Sequence, residues 1–117
     1  MRVPIRRIDK PWGYELIFAH TERYVGKILH VNPGQALSLQ YHERKDETLY
    51  LAEGEVELVV EEGGRLVSTV LRGGDSYHIV PPTRHRMVAG ENGCDIIEVS
   101  TPELEDVVRI EDRYGRA

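Results

Sequence analysis

The sequence holds a single cysteine, Cys94, so no internal disulfide can form, and this usage suits a reducing cytoplasm. No apolar run approaches the roughly 18 to 20 residues needed to span a membrane. The N-terminal MRVPIRRIDKPWGYE lacks the long apolar segment of a secretory signal. Positive charge is not in excess: the net charge of −5 gives no electrostatic reason to expect nucleic acid or an anionic membrane as a partner. An acidic chain can still hold a local cationic pocket for an anionic substrate. There is no internal repeat, no linker or low-complexity segment, and no glycine-rich motif that cradles nucleotide phosphates. A sustained helical period is also missing. Only the short Pro102 to Val108 segment leaves room for a helical turn or two, opened by Pro102.

What remains is a chain of 117 residues, 40% hydrophobic and 30% charged, enough for one domain over residues 1–117 with a single core. Turn residues recur at short intervals, among them Asn32-Pro33-Gly34, Gly63-Gly64, Gly73-Gly74 and Pro81-Pro82. Between them lie short runs rich in Val, Ile, Leu, Tyr and Thr. Tyr24 to Val31, Ala36 to Tyr41, Thr48 to Ala52, Glu55 to Glu61, Leu66 to Leu71, Ser76 to Val80, His85 to Ala89 and Asp95 to Ser100 read as strands. Glu55 to Glu61 alternates Glu55, Glu57 and Glu61 with Val56, Leu58 and Val60, as a half-buried antiparallel strand does. Many short strands at even spacing predict an all-β sandwich or barrel.

The stretch from Gly34 to Gly54 carries the chemistry. Gln40 and His42 lie two apart on one strand and share a face, and Glu47 opens the next apolar run. With His85 from farther along, these donors can converge on one divalent ion. Imidazole and carboxylate suit Zn first, and also Mn, Co, Fe or Ni, whereas the neutral amide oxygen of Gln40 is a weak, hard ligand. Two readings stand for Gln40: a direct ligand, or an outer group that orients the ligands. His20 reads as a surface residue, and His30 and His78 as barrel residues of open facing.

The spacing of Gly34, Gln40, His42, Glu47 and Gly54 resembles the first motif of the cupin superfamily, with Gln40 in the place of a usual histidine. His85 resembles the histidine of the second cupin motif, although Thr83 stands where glycine is usual and the gap is one residue shorter. Lys10-Pro11-Trp12-Gly13-Tyr14-Glu15, Leu37-Ser38-Leu39-Gln40, His85-Arg86 and Asp112-Arg113-Tyr114-Gly115-Arg116 resemble the type II mannose-6-phosphate isomerases over nearly the whole chain. Glu43, Arg44, Lys45 and Asp46 replace the further histidines and arginine common there, and Leu49 a tryptophan. The resemblance implies a cupin double-stranded β-helix, or jelly-roll barrel. It also implies interconversion of mannose 6-phosphate and fructose 6-phosphate through an enediol.

Such a reaction needs a base at C2, and a metal ligand is a poor one because coordination lowers its basicity. Glu98, within the apolar run Ile96-Ile97-Glu98-Val99, and Lys27 are the candidate catalytic residues, each inward-facing or solvent-facing on the sequence alone. Phosphate recognition needs cations. Arg44 lies in the turn between His42 and Glu47, Arg86 follows His85, and the resemblance draws Arg86 and Arg116 toward the substrate. Strand alternation points Arg86 opposite to His85 unless a bend intervenes. Barrels of this class have sheet edges to cover, so Trp12 and Tyr14 near the N-terminus imply a homodimer. Two other readings stay open: a metal-binding cupin of other activity, such as a small oxygenase or another sugar-phosphate isomerase, and a non-catalytic sugar-binding module.

Overall fold

The computed structural model describes residues 1–117 and is built entirely of strands. Nine occur in chain order: β1 (Arg6–Lys10), β2 (Gly13–His20), β3 (Val25–Val31), β4 (Leu39–Tyr41), β5 (Glu47–Glu62), β6 (Arg65–Arg72), β7 (Ser76–Ile79), β8 (His85–Ser100) and β9 (Val108–Glu111). All pairings are antiparallel. One path runs β1-β2-β3-β8-β4-β9, and β5 joins it through β8 while also pairing β6 and β7. This is the curled jelly roll expected of the sequence.

The two 16-residue strands β5 and β8 hold the fold together, each running the length of the molecule and pairing with the other from Glu47↔Ser100 to Val60↔His85. The sequence divides each into two strands, because glycines interrupt the apolar alternation at Gly54 and from Gly90 to Gly93. In the structure the pairing continues through them, with register shifts at Leu51/Glu53 and Gly54/Val56 that bend the ladder. Gly54 is required at that bend. Its φ is 86°, and a Cβ there would lie 2.2 Å from the Gly93 carbonyl oxygen.

Alternation then sorts the side chains. Val56, Leu58 and Val60 of β5 and Met87, Ala89, Cys94 and Ile96 of β8 fill the core, with Trp12, Leu29 and Leu51. Polar residues in phase with these positions are carried inward too: Glu15 on β2, Lys27 on β3, Glu47 on β5, and His85, Glu98 and Ser100 on β8. Burial of Cys94 pushes its thiol up to about 12 and makes it unreactive.

Three further parts differ from the sequence expectation. β1, β2 and β9 add to the predicted strands, since Arg6–Lys10 and Val108–Glu111 are short, largely exposed edge strands with little apolar alternation. The strand predicted from Ala36 shortens to Leu39–Tyr41, preceded by an isolated bridge from Ala36 to Val88. Pro102 to Val108 forms no helix. The Leu104 N–H donates to the Pro102 carbonyl at 2.8 Å and the Val107 N–H to that of Glu105 at 2.9 Å. These tight turns leave Asp106 free to serve another loop. The C-terminal segment folds back over the barrel. Tyr114 packs on the core and donates its hydroxyl to Gln35 Oε1 at 2.6 Å, and Arg113 donates to the Gly34 carbonyl at 2.9 Å.

Candidate metal centre

His42 lies one residue past β4, Glu47 opens β5 and His85 opens β8. Gln40 pairs with His85 across β4 and β8, which sets the first strand of the site against the third. The turn from Glu43 to Asp46 is held by Asp106. Its carboxylate accepts the backbone N–H groups of Glu43, Arg44 and Lys45 at 3.1, 2.7 and 2.9 Å. Those hydrogen bonds, that from Arg44 foremost, keep Asp106 below its ordinary carboxylate pKa.

The donor atoms of His42, Glu47 and His85 all lie within 4.8 Å of one another, and the three side chains are buried. His42 Nδ1 bonds the Asp106 carbonyl, and His85 Nδ1 bonds the Thr83 carbonyl at 2.9 Å. A carbonyl only accepts, so each Nδ1 carries the proton and each Nε2 presents a lone pair to the site. His42 Nε2 is 3.5 Å from Glu47 Oε2, and His85 Nε2 is 3.2 Å from Oε1. None of these four buried atoms has a hydrogen-bond partner. Four acceptors aimed at one another repel unless a cation lies among them. Ligands each about 2.0–2.2 Å from one ion stand roughly 3.0–3.5 Å apart, as each histidine does from Glu47. The residues fit a divalent metal.

Lys45 completes the electrostatics. Its Nζ is 3.1 Å from Glu47 Oε2, as an ion pair without hydrogen-bond geometry, and 3.0 Å from Glu98 Oε2, to which it donates. Burial alone would lower the Lys45 pKa, but Glu98 and then Glu47 outweigh it and raise the group above its ordinary value. Burial would likewise raise Glu47, and the Lys45 ammonium beside it works in the opposite direction, lowering it.

Above this cluster opens a cavity of about 280 Å³. Gln40, His42, Lys45 and Glu98 lie in its wall, with Lys27, Glu15, Lys10, Arg109 and Arg116. Gln40 thus shares a wall with His42, and its Oε1 accepts from Ser38 Oγ at 2.7 Å. Glu98 and Lys27 both face inward, opposite each other across β3 and β8, and Lys27 Nζ pairs with Glu15 Oε2 at 3.4 Å. Of the three expected arginines only Arg116 lines the cavity. Arg44 and Arg86 do not line it. Arg44 is exposed on the turn, and Arg86, turned away from His85 by strand alternation, donates to the Leu37 and Glu111 carbonyls. His30 stacks on Tyr14 and pairs with Asp95 at 2.6 Å, His78 pairs with Asp46 at 2.6 Å on the surface, and His20 is exposed.

Lys10, Lys45, Asp106 and Arg109 escaped the sequence reading as site residues. Lys45 sits in a charged turn that reads as solvated, and Asp106 in a segment that reads as helical. The motif Lys10-Pro11-Trp12-Gly13 assigns no role to its lysine on sequence alone.

The model of the family "Mannose-6-phosphate isomerase C-terminal" matches residues 4–112. Similar curated proteins include the mannose-1-phosphate guanylyltransferase ManC of Salmonella typhimurium, 35% identical over 95% of this chain and 23% of its own length. The xanthan biosynthesis protein XanB of Xanthomonas campestris is 31% identical over 95% of the chain and 24% of its length. The chain therefore spans about a quarter of the length of the curated relatives it matches. Among solved structures, KdgF from Halomonas sp. superposes with a TM-score of 0.74 at 26% identity, covering 86% of this chain and 89% of that one. Oxalate decarboxylase from Bacillus subtilis superposes at 0.82 with 17% identity, over 97% of this chain and 32% of that one, which shows the shared cupin fold. A jelly roll with two histidines and a glutamate converging under its cavity, matched over residues 4–112, belongs to the mannose-6-phosphate isomerase C-terminal family of cupins.

Proposed function

We propose that this chain is a metal-dependent sugar-phosphate isomerase that interconverts mannose 6-phosphate and fructose 6-phosphate. The observation that carries the reading is the buried set of His42, Glu47 and His85 beneath a cavity whose wall holds Glu98, in a chain of this family. His42, Glu47 and His85 would hold the ion, with Gln40 beside them. When bound, a divalent ion supplies Lewis-acid stabilisation for negative charge developing on the sugar's carbonyl and adjacent hydroxyl oxygens.

The chain's own residues do the rest. Glu98 is the base: its carboxylate takes the proton from C2 of the open-chain aldose and returns it to C1 while the hydroxyl proton passes from O2 to O1, leaving the ketose. Lys45 holds Glu98 Oε2 at 3.0 Å, so one carboxylate oxygen is fixed and the other is available for the carbon-bound proton. Lys27, held by Glu15, is the cross-strand neighbour of Glu98 and offers an ammonium to sugar oxygens beside it. The cavity, about 280 Å³ and near the small end of ligand sites, limits the water that accompanies the sugar.

The test is a coupled assay of metal-loaded protein with mannose 6-phosphate. The reading expects turnover that chelation abolishes and metal restores, with Glu98→Gln reduced by about 10²-fold or more while metal content is unchanged. No turnover with Zn, Mn, Co, Fe or Ni would overturn it. Iron-dependent oxygen consumption in place of isomerisation would assign the site to an oxygenase.

A further inference from the structure

The cavity wall carries five cationic residues, Lys10, Lys27, Lys45, Arg109 and Arg116, against three carboxylates, Glu15, Glu98 and Glu105. Most of that charge is accounted for. Lys45 is paired with Glu98 and Glu47, Lys27 with Glu15, and Arg116 with Asp112 through contacts of 2.8 and 3.1 Å. Two cations remain underserved. Lys10 reaches only Glu15 Oε1, at 4.0 Å, and that carboxylate is already engaged by Lys27. No Asp or Glu side chain pairs with Arg109. It donates one guanidinium nitrogen to the Ala117 main-chain oxygen at 2.8 Å, and its Nε is buried without a partner.

A buried, unpartnered guanidinium N–H is costly, and a second cation beside it makes it costlier. The two do feel each other. Burial lowers the Lys10 pKa first, and the positive charges of Lys27, Arg116 and Arg109 lower it further against Glu15. An anion with several acceptor oxygens satisfies both groups at once, and a phosphate monoester presents three. The position suits the reaction proposed above. Arg109 lies opposite Gln40 on β4 and β9, and Gln40 lies opposite His85 on β4 and β8. Arg109 is therefore one strand spacing from the strand that runs on to His42 and two, about 10 Å, from His85, within the span of one sugar phosphate.

We propose that Lys10 and Arg109, with Arg116 at its edge, form an anion subsite in the cavity wall that takes the phosphate monoester of the substrate. The identity of that anion as the 6-phosphate of a sugar rests on the isomerase reading; the subsite itself does not.

The experiment titrates the full chain, held metal-free with chelator, with inorganic phosphate and separately with mannose 6-phosphate and mannose, followed by amide chemical shifts. Saturable binding of both phosphates, and none of mannose, is expected. Arg109→Met and Lys10→Met should each weaken phosphate binding by about ten- to a hundredfold, the loss of a charge-assisted hydrogen bond. Arg44→Met should stay within about twofold of the parent. Arg109→Lys, which keeps the charge and loses the fork, should fall between parent and Arg109→Met, and serves if the methionine variant does not fold. Absence of saturable phosphate binding, or equal losses in Arg44→Met and Arg109→Met, overturns the subsite. A failed turnover assay with intact phosphate binding would instead overturn the isomerase reading alone.

Discussion

Replacing Lys45 with methionine tests whether the buried turn lysine is the counter-ion of the site. Methionine keeps the stem's volume and removes the ammonium, leaving Glu47 and Glu98, which lie 3.1 and 3.0 Å from it, without their shared cation. All three side chains are nearly excluded from solvent. Removing one partner of such a pair costs about 3–5 kcal/mol. With an unfolding entropy of about 2.1 cal/mol/K per residue, a chain of 117 residues loses roughly 4 °C per kcal/mol, so the melting temperature should fall by about 12–20 °C. A metal ion bound to Glu47 replaces one of the two lost contacts. The deficit should therefore shrink by about half in saturating Zn relative to chelator. Lys45→Arg retains the charge and should lose no more than about 1–2 kcal/mol. Thermal melts of the three proteins with chelator and with Zn read all of this. A Lys45→Met deficit below about 1 kcal/mol, or one that metal leaves unchanged, would refute the assignment.

Glu47→Gln preserves shape and removes the only charged donor of the three, so stoichiometric metal should be lost. Affinity should fall by more than the roughly 10–100-fold typical of an outer-shell change, measured by elemental analysis after dialysis against graded chelator. Asp112 is held at about 2, chiefly by the Arg116 side chain. A carboxylate depressed below its unfolded value near 3.9 contributes stability that is present above about pH 4 and lost as pH falls through about 2. The Arg116 side-chain N–H resonances should shift with that midpoint, and Asp112→Asn should abolish the shift. We also propose that the β1 edge, flanked by exposed Val3 and Ile5, pairs with a second copy. Light scattering at micromolar concentration should give twice 13.4 kDa, and a mass of 13.4 kDa would contradict it.

Much of the barrel is legible in the sequence because its inner faces follow the strand period. Val56, Leu58 and Val60 announce one wall, and the glycine pairs mark most of the turns. The candidate metal site is legible for the same reason: Gln40 and His42 share a phase, while Glu47 and His85 each open an apolar run. Arg86 shows what alternation can settle, since it points away from His85 as the strand period dictates. Lys45 and Asp106 show where local reading ends. A lysine in a charged turn looks solvated, and only the packing of that turn against Glu98, 53 residues onward, buries it. Asp106 caps three backbone N–H groups more than 60 residues earlier, a contact that no local period records. Arg109 lies in a short, exposed edge strand whose sequence gives no sign of the cavity behind it.

The most direct test of the account is isomerisation of mannose 6-phosphate in D₂O, followed by proton NMR of the sugar. Proton transfer through Glu98 predicts metal-dependent entry of deuterium at C2 of mannose 6-phosphate and C1 of fructose 6-phosphate, lost in Glu98→Gln at unchanged metal content. Turnover with full retention of the original hydrogen, at the same rate in Glu98→Gln, would contradict it.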